Sequence, residues 1–538
     1  MRLHDVRNRL ADFKIVLAVS IIIGVLLRLV LIAQSGWRID YDEAMMGLLG
    51  RHVLRGEWVA FVPAQATLGA LEAYPLALSF AIFGASVVSF RLVSLLIAAG
   101  YILTIGWLAR CAFDVRVGSI AAVLAAIAPP YMLITGLKTW GGTAETIVLG
   151  NLLLLIIGNA VDTADTDRSR RIDLVLAGLV AGLMFWLAWL SVYYLLPTIV
   201  ILLWRGRRVL QSGWWIALIA FAIGSAPFWI VNVRESFPTF ALAFKPSQAQ
   251  PGAFEAVAAH FGNDLIPRLV TGDPSWQTSG PRGELVLVAL YYIGALSLLI
   301  WVRWGPWRDR AGASLRWMLA IFVIALPIIY LISGFSRNAL NPWGIDATGR
   351  YVLMLHTALP IGLAALSVAI GRRHVPGAKL IAITIVVLVA GLNLLGNLRL
   401  NAIKAFDSPY YSRLPDSLSP LIAYLDEQGI SHVWTDVGIA QVLMFETNER
   451  IIAADYHDAY LAGGLIRFPD ALAAVEAASK IAFVVPVLAN QSDPPLQRAL
   501  DAAGVHYTHV RVMPTLAVYV PDQPIDPAVI AQGLGYQY

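Results

Sequence analysis

Long apolar runs alternate with short polar segments along the first 400 residues of the chain. An α-helix of about 20 apolar residues crosses the roughly 30 Å hydrocarbon layer of a bilayer. The pattern therefore predicts a polytopic α-helical membrane protein with about eleven transmembrane helices. We place these helices at residues 15–34, 91–109, 117–135, 144–160, 172–189, 191–204, 213–232, 285–302, 315–334, 351–370 and 378–397.

Basic residues collect between these runs, and all the basic clusters fall on one side of the predicted membrane. That side is predicted to be the cytoplasm, because cytoplasmic loops carry an excess of arginine and lysine. The amino terminus is then inside, and residues 35–90, 234–284 and 398–538 are outside. The first run could instead be a cleaved signal peptide. It is longer than an ordinary signal core and no A-x-A site follows before Trp37, so we interpret it as an anchor.

The pattern changes near residue 401. Three prolines mark a linker, an amphipathic helix is predicted at 421–429, and five short apolar runs follow. Separated by polar stretches, these runs predict a small α/β domain with a mixed sheet. The chain is therefore divided into a transmembrane domain, 1–400, and an extracytoplasmic α/β domain, 401–538. The apolar runs lie at 432–436, 450–454, 480–487, 506–512 and 515–520.

Composition supports a membrane protein. The 538 residues are 58% hydrophobic and 14% charged, whereas soluble domains average about 45–50% apolar and about 25% charged residues. The net charge of +4 could indicate nucleic acid in a soluble protein, but here the basic residues follow the topology, so no nucleic-acid partner is predicted. Cys111 is the only cysteine, which excludes an intramolecular disulfide.

Asp40, Asp42 and Glu43 follow the first apolar run, where a membrane helix meets water. Carboxylates at such a place are costly beside lipid and usually mark a functional site. One of them could act as a general base, and the Asp40-x-Asp42 spacing could hold a divalent cation. The alternative is that Asp42 only caps the next helix, which is predicted at 43–55 as an amphipathic helix on the membrane surface.

The order of motifs narrows this choice. Arg28 in the first span is followed by the Asp42-Glu43 pair, and Arg350-Tyr-Val-Leu353 opens a late helix. Together with the segments between them, this order resembles the superclass C glycosyltransferases of the family 39-like group, which includes protein O-mannosyltransferases and the lipid A aminoarabinose transferase. The intervening segments are Gly47-Leu-Leu-Gly-Arg-His-Val-Leu-Arg-Gly-Glu-Trp58, Leu71-Glu-Ala-Tyr-Pro-Leu76, Ile82-Phe-Gly84 and Phe90-Arg-Leu-Val-Ser94.

The resemblance implies an integral glycosyltransferase at the outer face of a bacterial inner membrane. It implies a polyprenyl-phosphate sugar as donor, a glycan, lipid or protein as acceptor, and displacement with inversion. Asp42 stands at the position of the family's catalytic aspartate, and Glu43 is its neighbour, so the resemblance implies that both are catalytic residues. The resemblance implies no cofactor. Binding of a divalent cation by Asp40 and Asp42 remains an open alternative.

The remaining candidates are predicted to bind substrate. Glu145 stands roughly where family members keep a second acidic residue, although a carboxylate also suits a helix entry. Arg350 could bind the donor phosphate bidentately, and Lys138 could assist it; either could instead be an interfacial anchor. Arg28 lies within the first span and needs a partner.

One segment departs from the family pattern. Many relatives have Lys-Pro-Pro-Leu where this chain reads Ala73-Tyr74-Pro75-Leu76, and Glu72 precedes it. Glu72 and Tyr74 therefore occupy the place of a phosphate-binding lysine. This difference predicts another sugar or another acceptor than in the aminoarabinose enzyme.

Two other classes of function compete with a glycosyltransferase. A lipid or polysaccharide transporter usually shows paired, inverted helical repeats, and none is found between the halves of this chain. A non-catalytic membrane scaffold would need no outward carboxylate cleft. A pocket shared by Asp42, Glu145 and Arg350 would therefore favour the enzyme.

Overall fold

The computed structural model describes residues 3–140, 142–163, 166–243, 253–272, 285–308, 311–337, 348–407, 415–456, 466–487 and 495–525. The helices are α1 (Leu3–Gln34), α2 (Tyr41–Leu54), α3 (Ala73–Phe83), α4 (Val87–Ala112), α5 (Val115–Ala126), α6 (Pro130–Thr135), α7 (Thr143–Asp162), α8 (Asp167–Leu187), α9 (Val192–Arg205), α10 (Arg207–Gln211), α11 (Trp214–Gly224), α12 (Ala226–Arg234), α13 (Pro238–Ala243), α14 (Ala253–His260), α15 (Ile266–Thr271), α16 (Leu285–Trp301), α17 (Ala313–Ile332), α18 (Ala358–Gly371), α19 (Ala378–Arg399), α20 (Ala402–Ala405), α21 (Ser419–Glu427), α22 (Val437–Glu446), α23 (Pro469–Ala477) and α24 (Pro495–Ala502).

Shorter helices and strands complete the description. Within the described residues, 3₁₀ segments lie at Trp189–Ser191, Gly334–Ser336 and Arg350–Thr357, and a π-helical turn lies at Phe261–Leu265. The strands are β1 (Phe61–Val62), β2 (Gln65–Gly69), β3 (His432–Thr435), β4 (Ile452–Asp455), β5 (Ala482–Pro486), β6 (Tyr507–Met513) and β7 (Leu516–Pro521).

Contacts divide the chain into two compact units. The membrane unit contains Met1–Ala33, Thr67–Leu71 and Leu92–Ala405. The second unit, called here the α2 unit, contains Gln34–Ala66, Glu72–Arg91 and Phe406–Tyr538. Most of the first predicted outer loop therefore groups with the carboxy-terminal residues.

Six helices among the described residues are long and apolar enough to cross a membrane, or seven if the bent pair α11–α12 is one span. The two helices of that pair meet at 64°. Shorter apolar helices such as α5, α16 and the segment Trp189–Arg205 cover further predicted spans. The total of eleven spans stays a prediction.

Glycines bring helices of the membrane unit into backbone contact. A Cβ atom at Gly182 of α8 would lie 2.3 Å from the carbonyl oxygen of Phe221 in α11. At Gly362 of α18 it would lie 2.4 Å from the carbonyl oxygen of Gly294 in α16. Small residues allow such close approach, and packing of this kind holds membrane helices together because lipid and side chains are equally apolar.

The carboxy-terminal residues of the α2 unit form a mixed sheet with the strand order β4-β3-β5-β7-β6. β3 is parallel to β4 and β5, while β7 is antiparallel to both β5 and β6. The five strands lie at the five short apolar runs of the sequence, and helices α22 to α24 connect them.

Helix α2 corrects two predictions. It begins at Tyr41 and its N-cap is Asp40, so the expectation that Asp42 caps this helix is wrong. It is also not a surface helix: most of its residues are buried, because it packs against α3 on one side and α22 on another. Phe445 of α22 fits against Gly47, where a Cβ atom would lie 2.6 Å from its ring.

Candidate active site

The start of α2 is fixed by a reciprocal capping box. Asp40 Oδ1 accepts a hydrogen bond from the backbone N–H of Glu43 at 3.0 Å, and Glu43 Oε2 accepts one from the N–H of Asp40 at 3.0 Å. Asp40 is extended, with φ −90° and ψ 177°, as an N-cap residue should be. The chain thus enters the helix in a single defined geometry.

Glu43 also forms a fully buried ion pair with Arg91. Arg91 Nη1 lies 2.5 Å from Glu43 Oε1, Nη2 lies 3.1 Å from Oε2, and both side chains are 0% exposed. Arg91 Nη2 also donates to the carbonyl oxygen of Arg38, and its guanidinium stacks 4.8 Å from the ring centroid of Phe406. Both Glu43 oxygens are therefore engaged in holding the chain around α2.

Asp42 is the least buried of the three carboxylates. Asp40 and Glu43 are buried, whereas Asp42, in the first turn of α2, is partly exposed. The role of Asp42 as a general base stays a prediction.

A cleft of about 430 Å³ lies beside this helix start. Arg38, in its wall, pairs with Asp407 at 2.7 Å and with Asp416 at 3.0 Å. Burial raises the pKa of the Glu446 carboxyl in the same wall, although the charge of Arg38 opposes the shift. We call it the Arg38 cleft; it is lined by Arg38, Ile39, Asp40, Asp407, Pro415, Asp416, Ser417, Leu418, Gly438, Ile439, Val442 and Glu446.

Glu72 and Tyr74 lie at the start of α3. Glu72 is the buried residue before the helix, and the Tyr74 hydroxyl donates to the carbonyl oxygen of Val59 at 3.0 Å. Tyr74 thus ties α3 to the chain that leaves α2. Their predicted roles in substrate binding stay predictions.

In the membrane unit, Lys138 and Glu145 flank the entry to α7. The Lys138 side chain is buried, and its ammonium nitrogen lies 4.5 Å from the ring centroid of Trp140. Glu145 stands in the first turn of α7 and is partly exposed. Gly142, at φ 72°, makes the left-handed turn that starts this helix. A cation and a carboxylate thus lie within one short segment of the chain.

Arg350 opens a 3₁₀ segment after Gly349, which has a φ of 71°. Its Nη2 donates to the Tyr351 hydroxyl at 3.0 Å, and its guanidinium lies 5.0 Å from that ring. Just before it, the Tyr131 hydroxyl donates to the carbonyl oxygen of Thr348 at 2.5 Å. Arg350 is partly exposed and held at a defined place.

A buried polar network lies at the other end of this 3₁₀ segment. The Thr357 hydroxyl donates to the side-chain amide oxygen of Asn151 at 2.9 Å, the Asn151 amide nitrogen donates to the Thr104 hydroxyl at 3.2 Å, and the Tyr194 hydroxyl lies 2.6 Å from that of Thr357. The sequence analysis did not single out these residues. Asn151 within a predicted span was the available signal, because polar residues inside a membrane are costly.

Arg28 has partners in the protein backbone. Its Nη1 donates to the carbonyl oxygens of Gly24 at 3.0 Å and of Ala126 at 3.3 Å. Ala126 ends α5, so Arg28 satisfies a carbonyl at a helix end inside the membrane unit. These bonds supply the partner that the sequence demanded, and a role in substrate binding stays a prediction.

The candidates fall into two sets. Asp40, Asp42, Glu43, Glu72 and Tyr74 belong to the α2 unit, and Arg28, Lys138, Glu145 and Arg350 to the membrane unit. A pocket shared by both sets stays a prediction. Among the described residues, no group of three or more His, Cys, Asp or Glu side chains is arranged to hold a metal ion.

Comparisons with known proteins give a family match and a fold match. A family model described as "Dolichyl-phosphate-mannose-protein mannosyltransferase" matches residues 70–230. The crystal structure of apo ArnT from Cupriavidus metallidurans has a TM-score of 0.60 at 14% identity, covering 97% of this chain and 99% of that one. The same enzyme bound to undecaprenyl phosphate gives 0.59 at 13% identity, with the same coverage. No curated protein matches the sequence significantly. The predicted resemblance to family 39-like superclass C glycosyltransferases is confirmed.

Proposed function

We propose that this chain, which has the fold of ArnT, is an integral membrane glycosyltransferase that uses a polyprenyl-phosphate sugar donor. The match of residues 70–230 to the mannosyltransferase family model supports a sugar transfer, and the undecaprenyl phosphate bound to ArnT supports a lipid-phosphate donor. The observation that carries the mechanism is the state of the three carboxylates. Asp40 and Glu43 are buried and form the capping box and the ion pair, whereas Asp42 is partly exposed, and this exposure supports Asp42 as the base.

The proposed reaction is a single displacement. Asp42 takes the proton from an acceptor hydroxyl or amine while that group attacks the anomeric carbon of the donor sugar. The bond between that carbon and the phosphate oxygen breaks, and the lipid phosphate leaves with the electron pair. Attack opposite the leaving group inverts the anomeric configuration. No strong general acid is needed, because a phosphate is already a good leaving group.

Cationic side chains are proposed to stabilise the leaving phosphate. Arg350 can present two N–H donors to phosphate oxygens, and Lys138 can add a point charge. Positive charge placed where negative charge develops lowers the barrier to reaction. Glu145, in the first turn of α7, is proposed to orient the acceptor.

The substitution Asp42→Asn tests this proposal. It removes the base and leaves the cap intact, because Asp40 provides the cap. Transfer from a purified lipid-linked donor should fall about 10²–10⁴-fold. The matched control is Asp522→Asn, which makes the same change at an exposed position of the same unit. Transfer by Asp42→Asn at the control's rate would remove Asp42 from the mechanism and favour Asp40 or Glu145.

The proposed reaction needs no metal, since Arg350 and Lys138 supply the positive charge. Asp40 already uses Oδ1 to cap α2. Full transfer after exhaustive chelation is expected. Loss of transfer that added Mg²⁺ or Mn²⁺ restores would instead assign Asp40 and Asp42 as ligands.

A further inference from the structure

The carboxy-terminal part of the α2 unit contains a second cleft, of about 350 Å³. Helix α22 separates it from the Arg38 cleft: Ala440, Gln441 and Met444 face the second cleft, while the residues of α22 in the Arg38 cleft lie on the opposite face. We call it the Gln441 cleft; it is lined by Ala440, Gln441, Met444, Ala453, Ala454, Asp455, Ile466, Arg467, Phe468 and Leu472.

The Gln441 side chain points to a ligand. It is 3% exposed, and its amide oxygen has no hydrogen-bond partner among the described residues. Buried polar groups are nearly always hydrogen-bonded, and an unsatisfied one in a native structure calls for an explanation. Since Gln441 lines an open cleft, a hydrogen-bond donor on a bound molecule would satisfy this oxygen.

The remaining walls define the chemistry of that molecule. Asp455 ends strand β4 and offers an acceptor, Arg467 offers donors, and Phe468 and Leu472 give an apolar surface. Sugar hydroxyls donate and accept at once, and the C–H faces of a sugar ring are apolar. One carboxylate and one guanidinium balance each other, so the walls suit a neutral ligand.

One wall residue of the cleft lies near the start of α2. The Arg467 guanidinium lies 5.9 Å from the ring centroid of Tyr41, which stands between Asp40 and Asp42. We propose that the Gln441 cleft binds one sugar unit of a glycan acceptor, whose chain then continues towards Asp42. Sugar binding is inferred from the cleft alone; only the description of this sugar as part of the acceptor rests on the proposed function.

Binding to the purified full-length protein tests the inference. The probes are a printed array of defined neutral oligosaccharides and a matching array of synthetic peptides. Wild-type protein should bind a subset of the oligosaccharides, and Gln441→Leu should weaken this binding about tenfold, the size expected for one hydrogen bond to a buried group. Gln428→Leu is the matched control, because Gln428 is exposed and lies outside both clefts.

A second variant keeps the test decisive. Arg467→Met changes a partly exposed wall residue and should weaken the same binding even if Gln441→Leu fails to fold. The inference is overturned if wild-type protein binds no oligosaccharide, if it binds peptides only, or if folded variants bind as wild type does. The proposed function fails separately: normal transfer by Asp42→Asn, with oligosaccharide binding still dependent on Gln441, would reject the base and retain the cleft.

Discussion

Asp40, Asp42 and Glu43 lie within four residues, yet their environments give them different tasks. Asp40 caps α2, Glu43 is paired with Arg91 and fully buried, and Asp42 remains partly exposed. The sequence analysis treated Asp42 and Glu43 as one catalytic pair. It could not distinguish their roles, because Glu43 is buried by its contact with Arg91, which in turn stacks on Phe406, and both residues are far from Glu43 in the sequence. We therefore expect Glu43 to stabilise the fold around α2 rather than to take part in the reaction.

The substitution Glu43→Gln should destabilise the protein. It removes the carboxylate charge that pairs with the buried Arg91 guanidinium, and breaking a buried ion pair from one side typically costs about 3–5 kcal/mol. Thermal unfolding of the purified protein would show a lowered midpoint, and Glu57→Gln at an exposed position is the control. Adding Arg91→Met to Glu43→Gln should recover much of the loss. An unchanged midpoint for Glu43→Gln alone would mean that the ion pair contributes little.

Glu449 makes stability depend on pH. Burial raises the pKa of its carboxyl, but hydrogen bonds from His52 and Arg55 and the charge of Arg55 outweigh this and lower it to about 2. Because the folded-state pKa is below the ordinary value of 4.5, the ionised carboxylate stabilises the fold above pH 4.5. This contribution is lost as the pH falls towards 2.

The measurement is the difference in unfolding midpoint between wild type and Glu449→Gln. The wild type should be more stable at pH 7, and the difference should shrink steadily below pH 4.5. The substitution Glu427→Gln, at an exposed position, should give no such trend. A difference that stays constant from pH 7 to pH 3 would contradict the assigned ion pairs.

At the scale of elements, α2 shows where periodicity misleads. Its apolar positions predicted a surface helix, because an apolar stripe beside polar residues suits a membrane surface. In the structure α3 covers one side and α22 another, and the basic residues Arg51, His52 and Arg55 point to Glu449. The arginines on the polar face of α2 are therefore explained by their ion pairs with Glu449, which is remote in the sequence.

The contact between α8 and α11 gives a prediction for packing. Gly182→Ala should separate the two helices, since a Cβ atom there would lie 2.3 Å from the Phe221 carbonyl oxygen. Overpacking of this kind costs about 1–3 kcal/mol. The control is Gly391→Ala in α19, where a Cβ atom meets nothing within 4 Å. Equal unfolding midpoints for the two variants in detergent would show that α8 and α11 can move apart without any loss of stability.

For the whole molecule, the sequence predicted the helical membrane region, the family resemblance and the positions of the five strands. Each of these can be predicted from local sequence: long apolar runs indicate membrane spans, short apolar runs indicate strands, and short motifs indicate the family. The sequence did not predict Arg91, the Asn151 network or Gln441. Each depends on contacts between residues that are remote along the chain, such as Asn151 with Thr357.

The topology makes a prediction for the whole chain. With Cys111 replaced by serine, single cysteines at Glu57, Ser169 and Gln428 can be tested with a membrane-impermeant thiol reagent; Glu57 and Gln428 are exposed, and Ser169 is partly exposed. In intact cells, positions 57 and 428 should react and position 169 should react only after permeabilisation. If position 169 is labelled from outside, the basic clusters lie outside the cell and the predicted topology is wrong.

The surroundings of Asp42 also determine how much of the chain must be synthesised before the protein can become active. Arg38 and Arg91 are made early, but Phe406, which stacks on Arg91, and α22, which packs against α2, are made in the last third of translation. A nascent chain that has completed its first four hundred residues still lacks the parts that enclose the start of α2. Truncated products of this gene should therefore insert as membrane proteins and remain inactive.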